Sequence, residues 1–283
     1  MIGNGYFATV LLLTLLVLAA LPVPAATPRV EPLLFGHQLV LGGLAISVLP
    51  NGTLGGATRD GILLFERVGC QIRTTNWDTL ASSQGPLETL EAPTVEFTAT
   101  PELVRAVSSG VMGGTGAGDG RWRYTQTLTL DRTGRLTVHY RIVPVAAGRQ
   151  EVRYLYVQLE MPVTTYAKVP VQVEDLAGHR TLIPEYSGNT PGKTRRITFT
   201  QPAPGWSVIP DANLQQVELR NVGWACLTNL IAICYRLEQP VELTVVLDLG
   251  RPPVARPDRP DPSDQSDLQN PATSPPTPRK TTP

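Results

Sequence analysis

An alternation of apolar and polar side chains with a period of two residues constrains the fold of this chain more than any other feature. It is clearest in "YTQTLTLDRTGRLTVHYRIVP", Tyr124 to Pro144, on both sides of Asp-Arg-Thr-Gly. Successive side chains of a strand point to opposite faces of its sheet, so the pattern predicts two antiparallel strands with one apolar face. The alternation recurs in "LTVVLDL", Leu243 to Leu249, and no 12-residue window between residues 30 and 250 has a convincing helical period. We therefore predict an all-β fold, an antiparallel β-sandwich.

The loop of this hairpin indicates how its two strands pair. Arg132-Thr133-Gly134 fits a three-residue connection in which Gly134 adopts a left-handed conformation. A register shifted by one residue would mix the apolar and polar faces, so packing favours the unshifted register. The predicted apolar pairs are Leu130 with Leu136, Leu128 with Val138 and Tyr124 with Ile142, and the predicted polar pairs are Thr127 with His139 and Thr125 with Arg141.

Turn residues divide the rest of the domain into further short strands. The Gly-rich segment "SSGVMGGTGAGDGRW", Ser108–Trp122, contains no G-x-G-x-x-G match and leads into a strand, so we predict a flexible hairpin loop and not a phosphate site. Such a loop could also cover a binding site as a flap. The other predicted strands include Leu33–Val40, Leu44–Leu49, Val152–Glu160, Val217–Val222 and Leu230–Leu237.

The polar face of the central hairpin is the best candidate binding surface in the sequence. It carries Arg123, Thr127, His139 and Arg141. Carbohydrate sites combine hydrogen-bonding side chains with an aromatic plate, and Arg supplies several fixed donors. Faces rich in Thr and Arg are also typical of solvated antiparallel sheets, so a carbohydrate site and an ordinary outer surface both remain open here.

Two tryptophans are candidate stacking platforms for a sugar ring. Trp77 in "RTTNWDTL" lies in a predicted loop, between Asn76 and Asp78, which could bond ring hydroxyls. Trp122 follows the Gly-rich segment. The alternative for both is burial in the core.

The sequence indicates neither a metal site nor a catalytic motif. It has no C-x-x-C, H-x-H or H-E-x-x-H, and no G-x-S-x-G, so we expect no metal and no cofactor. Carboxylates such as Glu160 are available for glycoside chemistry, but surface carboxylates are the simpler interpretation. Lys plus Arg and Asp plus Glu number 24 each, so no net field favours nucleic acid as a partner.

Both ends of the chain differ from the middle. Residues 1–26 contain an apolar run, roughly 8–21, followed by prolines and small residues with Val23-x-Ala25 and Pro24-x-Ala26 as cleavage contexts. We interpret them as a signal peptide, although no Lys or Arg precedes the run, and an uncleaved N-terminal anchor is the alternative. The prediction is a secreted or periplasmic protein without a membrane span after cleavage.

Residues 251–283 hold ten of the 27 prolines and no aromatic residue, which predicts a disordered tail. The tail is either a passive spacer or a ligand for a protein partner. The domain itself is then 27–250. Its three cysteines, Cys70, Cys226 and Cys234, allow at most one internal disulfide.

The hairpin and the following "RYLYVQLEMPVTTYA" resemble the middle of galactose mutarotase-like β-supersandwich proteins, over about residues 124–167. In that superfamily the hairpin leads to a strand at the sugar site, and its members include aldose epimerases, polysaccharide lyases and accessory sandwiches of glycoside hydrolases. The resemblance implies a supersandwich fold and a sugar-related setting. The epimerases' "N-H-x-Y-F" is absent from the comparable "VQLEMPVTTYA", which argues against epimerase chemistry.

From the sequence we predict a non-catalytic carbohydrate-binding or accessory protein of the cell envelope or exterior. One alternative is a sugar-active enzyme, of the aldose epimerase or polysaccharide lyase type, with an unrecognised site at His139 or Glu160. The other is a structural envelope protein that binds a protein partner.

Overall fold

The computed structural model of the protein describes residues 26–76, 78–83, 94–114, 119–149, 151–190, 192–233 and 237–250. Within these residues the chain forms twenty strands and one helical turn, α1 (Val163–Tyr166). The strands are β1 (Arg29–Pro32), β2 (His37–Leu41), β3 (Leu44–Val48), β4 (Leu54–Arg59), β5 (Ile62–Phe65), β6 (Arg67–Arg73), β7 (Thr79–Ser82), β8 (Thr94–Ala99), β9 (Leu103–Gly113), β10 (Arg121–Asp131), β11 (Arg135–Ala146), β12 (Tyr154–Met161), β13 (Val171–Asp175), β14 (Arg180–Ile183), β15 (Ser187–Asn189), β16 (Thr194–Phe199), β17 (Trp206–Pro210), β18 (Gln216–Asn221), β19 (Cys226–Ile233) and β20 (Val241–Asp248).

The described strands form two antiparallel sheets, which confirms the predicted all-β sandwich. The larger sheet has eleven strands in the order β1-β2-β3-β4-β6-β12-β19-β18-β15, with β5 paired to β4 and β7 paired to β6. The smaller sheet has nine strands in the order β14-β13-β16-β17-β20-β11-β10-β9-β8. The chain crosses from the smaller sheet to the larger between β11 and β12, and it returns between β19 and β20. The strand that follows the central hairpin therefore belongs to the opposite sheet.

The central hairpin has the predicted register. Leu130 pairs with Leu136, Leu128 with Val138, Tyr124 with Ile142, Thr127 with His139 and Thr125 with Arg141. Gly134 has a φ of +83°, and its amide donates to the Asp131 carbonyl. The apolar face is buried in the core between the sheets, as the alternation predicted.

An aromatic cluster links the helical turn to both sheets. The Trp206 indole donates a hydrogen bond to the Tyr166 hydroxyl over 2.8 Å, and that hydroxyl donates to the Leu64 carbonyl over 2.8 Å. The Phe199 ring packs 4.5 Å from the Trp206 ring. Tyr166 therefore has its polar atom satisfied while its ring is fully buried, which fixes α1 against β5, β16 and β17.

Two segments differ from the sequence-based prediction. Leu33–Val40 is not one strand, because residues 33–36 turn the chain between β1 and β2, and Gly36 has a φ of +93°. The Gly-rich segment is also less of a loop than predicted, since Ser108–Gly113 belongs to β9. Within that strand Gly110 packs closely against Tyr124, and an added Cβ would lie 3.1 Å from the Tyr124 ring.

Cys70 and Cys226 are both buried. Burial raises the pKa of the Cys226 thiol to about 11. Cys234, the N-terminal segment 1–25 and the tail 251–283 lie outside the described residues. Among the residues described, no helix has the length and apolarity that a membrane crossing needs.

Candidate functional site

The four predicted polar residues of the central hairpin share the outer face of the smaller sheet. Arg123 and Arg141 are exposed, and Thr127 and His139 are half-buried. The Nδ1 atom of His139 lies 3.0 Å from the Thr244 hydroxyl, and Nε of Arg141 lies 3.7 Å from a carboxylate oxygen of Glu242. The structure thus brings these four residues onto one surface. On that surface β20 already supplies partners for His139 and Arg141.

Trp122, one of the two predicted tryptophans, does not join that surface. Trp122 is only 4% exposed and lies on the core face of β10. It contacts a cavity of about 420 Å³ between the two connections that cross from sheet to sheet, lined also by Val152, Leu237 and residues 144–149. Trp77 lies outside the described residues.

A second polar surface lies on the larger sheet, on the face turned away from the core. Along β12, Leu155, Val157 and Leu159 point into the core, so the alternating residues Tyr156 and Gln158 point to the opposite face. Glu160 follows on the same side. Strands β6, β19 and β18 continue this surface, because β6 and β19 pair with β12 on either side and β18 pairs with β19.

A chain of four hydrogen-bonded side chains crosses the four strands of this surface. Nε2 of Gln71 donates to Oε1 of Gln158, and Nε2 of Gln158 donates to Oδ1 of Asn229, both over 2.9 Å. Nδ2 of Asn229 then donates to a carboxylate oxygen of Glu218 over 2.9 Å. We call these four residues the amide row. Its three amide residues are each at most 6% exposed, and leaving one such buried group unpartnered would cost about 1–3 kcal/mol.

Three members of the amide row, Gln158, Asn229 and Glu218, form the floor of a cavity of about 270 Å³, which we call the sheet cavity. Arg73 stands at one side, where its guanidinium lies 5.1 Å from the centre of the Tyr156 ring. Its Nε and Nη2 donate to Oε1 of Gln71 over 3.1 and 2.7 Å, so the guanidinium is held in place. The lining residues are Arg73, Tyr156, Gln158, Glu218, Arg220, Leu227 and Asn229.

The charges around Tyr156 act on its hydroxyl. Burial raises the pKa of Tyr156 to about 12, with Arg73 and Arg220 opposing the shift and Glu218 adding to it. The hydroxyl is therefore protonated at neutral pH, where it can both donate and accept a hydrogen bond.

Glu160 lies beside the sheet cavity, next to Gln158 on the same face. It is 7% exposed, and its carboxylate lies 3.8 Å from Nε of Arg67, its direct cross-strand partner on β6. Burial raises the pKa of the Glu160 carboxyl, Arg67 partly opposes that shift, and Glu66 adds to it. A buried carboxyl with a raised pKa is the kind of group that can hold or transfer a proton.

Sequence reasoning singled out Glu160 but missed the sheet cavity. The signal that could have found it is the placement of Gln158 in the apolar strand "YLYVQLEM" and of Asn229 in "CLTNLIAI". Amides within such strands need buried partners. The strand pairing that supplies those partners joins segments about 70 to 90 residues apart.

The residues described contain no group of three His, Cys, Asp or Glu side chains that could hold a metal ion.

No family model matches the chain, and no curated protein matches it. Among solved structures, the chain is similar to a 4-α-glucanotransferase from Thermococcus litoralis, with a TM-score of 0.52 and 8% identity over 78% of this chain and 41% of the transferase. It is also similar to a galactose 1-epimerase from Lactobacillus acidophilus, with a TM-score of 0.42 and 12% identity over 75% of this chain and 92% of the epimerase. An aldose epimerase homologue from C. elegans gives a TM-score of 0.42 and 10% identity, over 79% of this chain and 98% of the homologue.

At these identities the similarity is one of fold, and this chain spans less than half of the glucanotransferase. The structures are those of sugar-active enzymes and a homologue of one. The galactose mutarotase-like resemblance predicted from residues 124–167 is confirmed as a weak similarity of fold.

Proposed function

We propose that this protein binds carbohydrate in the sheet cavity on the larger sheet. The observation that carries the proposal is the amide row, a chain of hydrogen-bonded side chains in which three buried amides lead to Glu218 and of which Gln158, Asn229 and Glu218 line the sheet cavity. An ordinary outer sheet face carries exposed polar residues, whereas this surface has amides that are nine-tenths buried. Sugar hydroxyls are both donors and acceptors, and so are the amides of Gln158 and Asn229.

The size and lining of the sheet cavity are compatible with one sugar residue. Its volume of about 270 Å³ lies just below the range of about 300–1,000 Å³ that is usual for small-molecule sites. Leu227 supplies an apolar contact for a ring face, and Tyr156 and Arg73 supply donors at the wall. A longer glycan would bind through one of its residues, with the others outside.

We further propose that the protein is exported and that its role is binding and not turnover. The support for export is the N-terminal sequence, with its apolar run followed by prolines and small residues. The support for a binding role is the lack of any recognisable catalytic motif in the sequence. A protein partner for the Pro-rich tail belongs to the same proposal.

A second candidate function is a sugar-active enzyme, and Glu160 favours it. This carboxyl lies beside the sheet cavity, is buried, and has a raised pKa. It could act as a general acid toward a sugar held by the amide row. The corresponding test is turnover of any glycan that binds, which Glu160→Gln would abolish while binding persists.

A glycan-array screen of the purified protein tests the proposal, with Asn229→Leu as the site variant. This change keeps the branched shape of the side chain with a larger volume, and it removes the amide that joins Gln158 to Glu218. Arg141→Ala, on the smaller sheet, is the matched control, and circular dichroism verifies the folding of both variants. Binding lost in Asn229→Leu and retained in Arg141→Ala is the expected result.

Binding retained in Asn229→Leu and lost in Arg141→Ala would assign the site to the outer face of the smaller sheet. That is the face predicted from the sequence, with Thr127, His139 and Arg141. A folded protein that binds no glycan on the array would overturn the proposed function.

A further inference from the structure

We infer that the sheet cavity selects a sugar that carries a carboxylate, such as a uronic acid residue, over the corresponding neutral sugar. The inference rests on the proposed function, since it names the ligand class of the same site. It is carried by the positions of two arginines, Arg73 and Arg220, on opposite sides of the cavity.

Arg73 provides a positive charge that is fixed in position. Two of its donors bond Oε1 of Gln71, and its guanidinium lies over the Tyr156 ring. The side chain is half-buried, so its charge is less screened than that of an arginine in open solvent. A guanidinium held in this way needs little reordering when an anion approaches.

Arg220 provides a second positive charge that is available to a ligand. It is exposed on β18, directly across from Leu227, and lines the sheet cavity. Among the described residues it forms no ion pair, which distinguishes it from Arg67, Arg132, Arg141 and Arg180. The fork of a guanidinium fits both oxygens of a carboxylate.

Glu218 is the opposing charge within the lining, and it is already engaged. Its Oε2 accepts the hydrogen bond from Asn229, and the side chain is half-buried at the end of the amide row. One carboxylate against two guanidinium groups leaves the lining with a net positive charge. A ligand carboxylate near Arg220 would balance that charge, which a neutral sugar cannot do.

Matched ligand pairs test the inference, each consisting of a uronic acid glycoside and its methyl ester. Galacto-, gluco- and manno-configured pairs cover the main ring stereochemistries, and titration calorimetry at low salt measures the dissociation constants. The acid is expected to bind about tenfold or more tightly than its ester, in line with charge-assisted bonds. Added salt should weaken binding of the acid and leave that of the ester nearly unchanged.

Substitutions of Arg220 locate the effect. Arg220→Gln should reduce the preference for the acid to what Arg73 alone supports, without weakening binding of the ester, and Arg220→Lys should reduce it less. Arg105→Gln, which removes an exposed arginine from β9 on the smaller sheet, is the control and should change neither constant.

The remaining outcomes distinguish a failure of the inference alone from a failure of the proposed function. Binding of esters or neutral sugars with no preference for the acid would overturn the inference and leave the proposed function standing. A preference that is undiminished in Arg220→Gln would also overturn it. If no sugar on the array or in these pairs binds, the proposed function fails and the inference fails with it.

Discussion

The burial of the Glu160 carboxyl makes its ionised form costly in the folded protein, and the same burial makes the carboxyl able to hold a proton. Its carboxyl is buried, and the nearest cation, Arg67, is 45% exposed and 3.8 Å away. Water therefore screens the partner while the carboxyl itself is largely desolvated. The net result is a pKa raised above the ordinary value of 4.5, so the folded protein favours the protonated form.

The raised pKa of Glu160 predicts a pH-dependent effect of Glu160→Gln. Well below the ordinary pKa of 4.5, Glu160 is protonated in the folded and unfolded states alike, and Gln resembles that form. As the pH rises from the unfolded pKa through the higher folded pKa, the wild-type protein loses stability and the variant does not. The free energy of unfolding of the variant relative to wild type should thus increase with pH, as measured by denaturant titrations across this range.

Glu102→Gln is the control for that series, because Glu102 is exposed and paired with Arg132 on the surface. If the free energy of unfolding relative to wild type varied with pH in the same way for Glu160→Gln and Glu102→Gln, folding would not raise the pKa of Glu160.

Arg59 is a buried cation whose partners are backbone carbonyls. Its guanidinium donates to the carbonyl oxygens of Leu249, over 2.9 Å, and of Pro204. Arg59 belongs to β4 of the larger sheet, whereas Leu249 follows β20 and Pro204 precedes β17, both of the smaller sheet. One side chain therefore joins the end of β4 in the larger sheet to segments next to β17 and β20 of the smaller sheet.

We expect Arg59→Met to lower the free energy of unfolding by about 2–4 kcal/mol, because it leaves these carbonyls without their charged donor. Equilibrium denaturation measures the change. Arg132→Met, which removes an exposed ion pair, should cost less than about 1 kcal/mol. Equal losses in the two variants would show that Arg59 does not join the sheets.

At the scale of elements, the turn of the β10–β11 hairpin depends on one glycine. Gly134 has a φ of +83°, and a Cβ there would lie 3.0 Å from backbone atoms of Gly250. Gly61 has a similar φ of +79° in the β4–β5 turn, but a Cβ added to it would have no other atom within 4 Å. The two glycines thus share backbone conformation and differ in crowding.

Both Gly134→Ala and Gly61→Ala should lower the melting temperature, since left-handed backbone disfavours a Cβ by about 1 kcal/mol. Gly134→Ala should have the larger effect because it also displaces the chain at Gly250. Thermal unfolding followed by circular dichroism compares them. An effect of Gly61→Ala equal to or larger than that of Gly134→Ala would contradict the crowding at Gly134.

The central hairpin could be predicted because the residues that define its pairing lie within one short stretch of the sequence. The alternation of Leu128 and Leu130 with threonines, and the glycine in the turn, together define one register. The turn at Leu33–Gly36 was missed because Leu33, Leu34 and Phe35 are exposed apolar residues in place of the usual turn residues. An apolar run predicts a strand unless its surroundings are known.

At the scale of the whole molecule, the sheet cavity was not predictable from local patterns. Gln71 and Gln158 are 87 residues apart, and they meet only because β6 and β12 are neighbours in the larger sheet. Nothing in the alternation of a single strand selects its neighbours in an eleven-stranded sheet. The sequence therefore indicated the fold class and one polar face, whereas the second face required the assembled sheet.

Hydrogen–deuterium exchange in the presence of a bound glycan tests whether carbohydrate binds to the sheet cavity. The ligand is the tightest binder from the array, at saturating concentration. We expect slowed exchange in β12, β18 and β19, with β10 and β11 unchanged. Protection confined to β10 and β11, or to the connections around Trp122, would place the site elsewhere and contradict the claim.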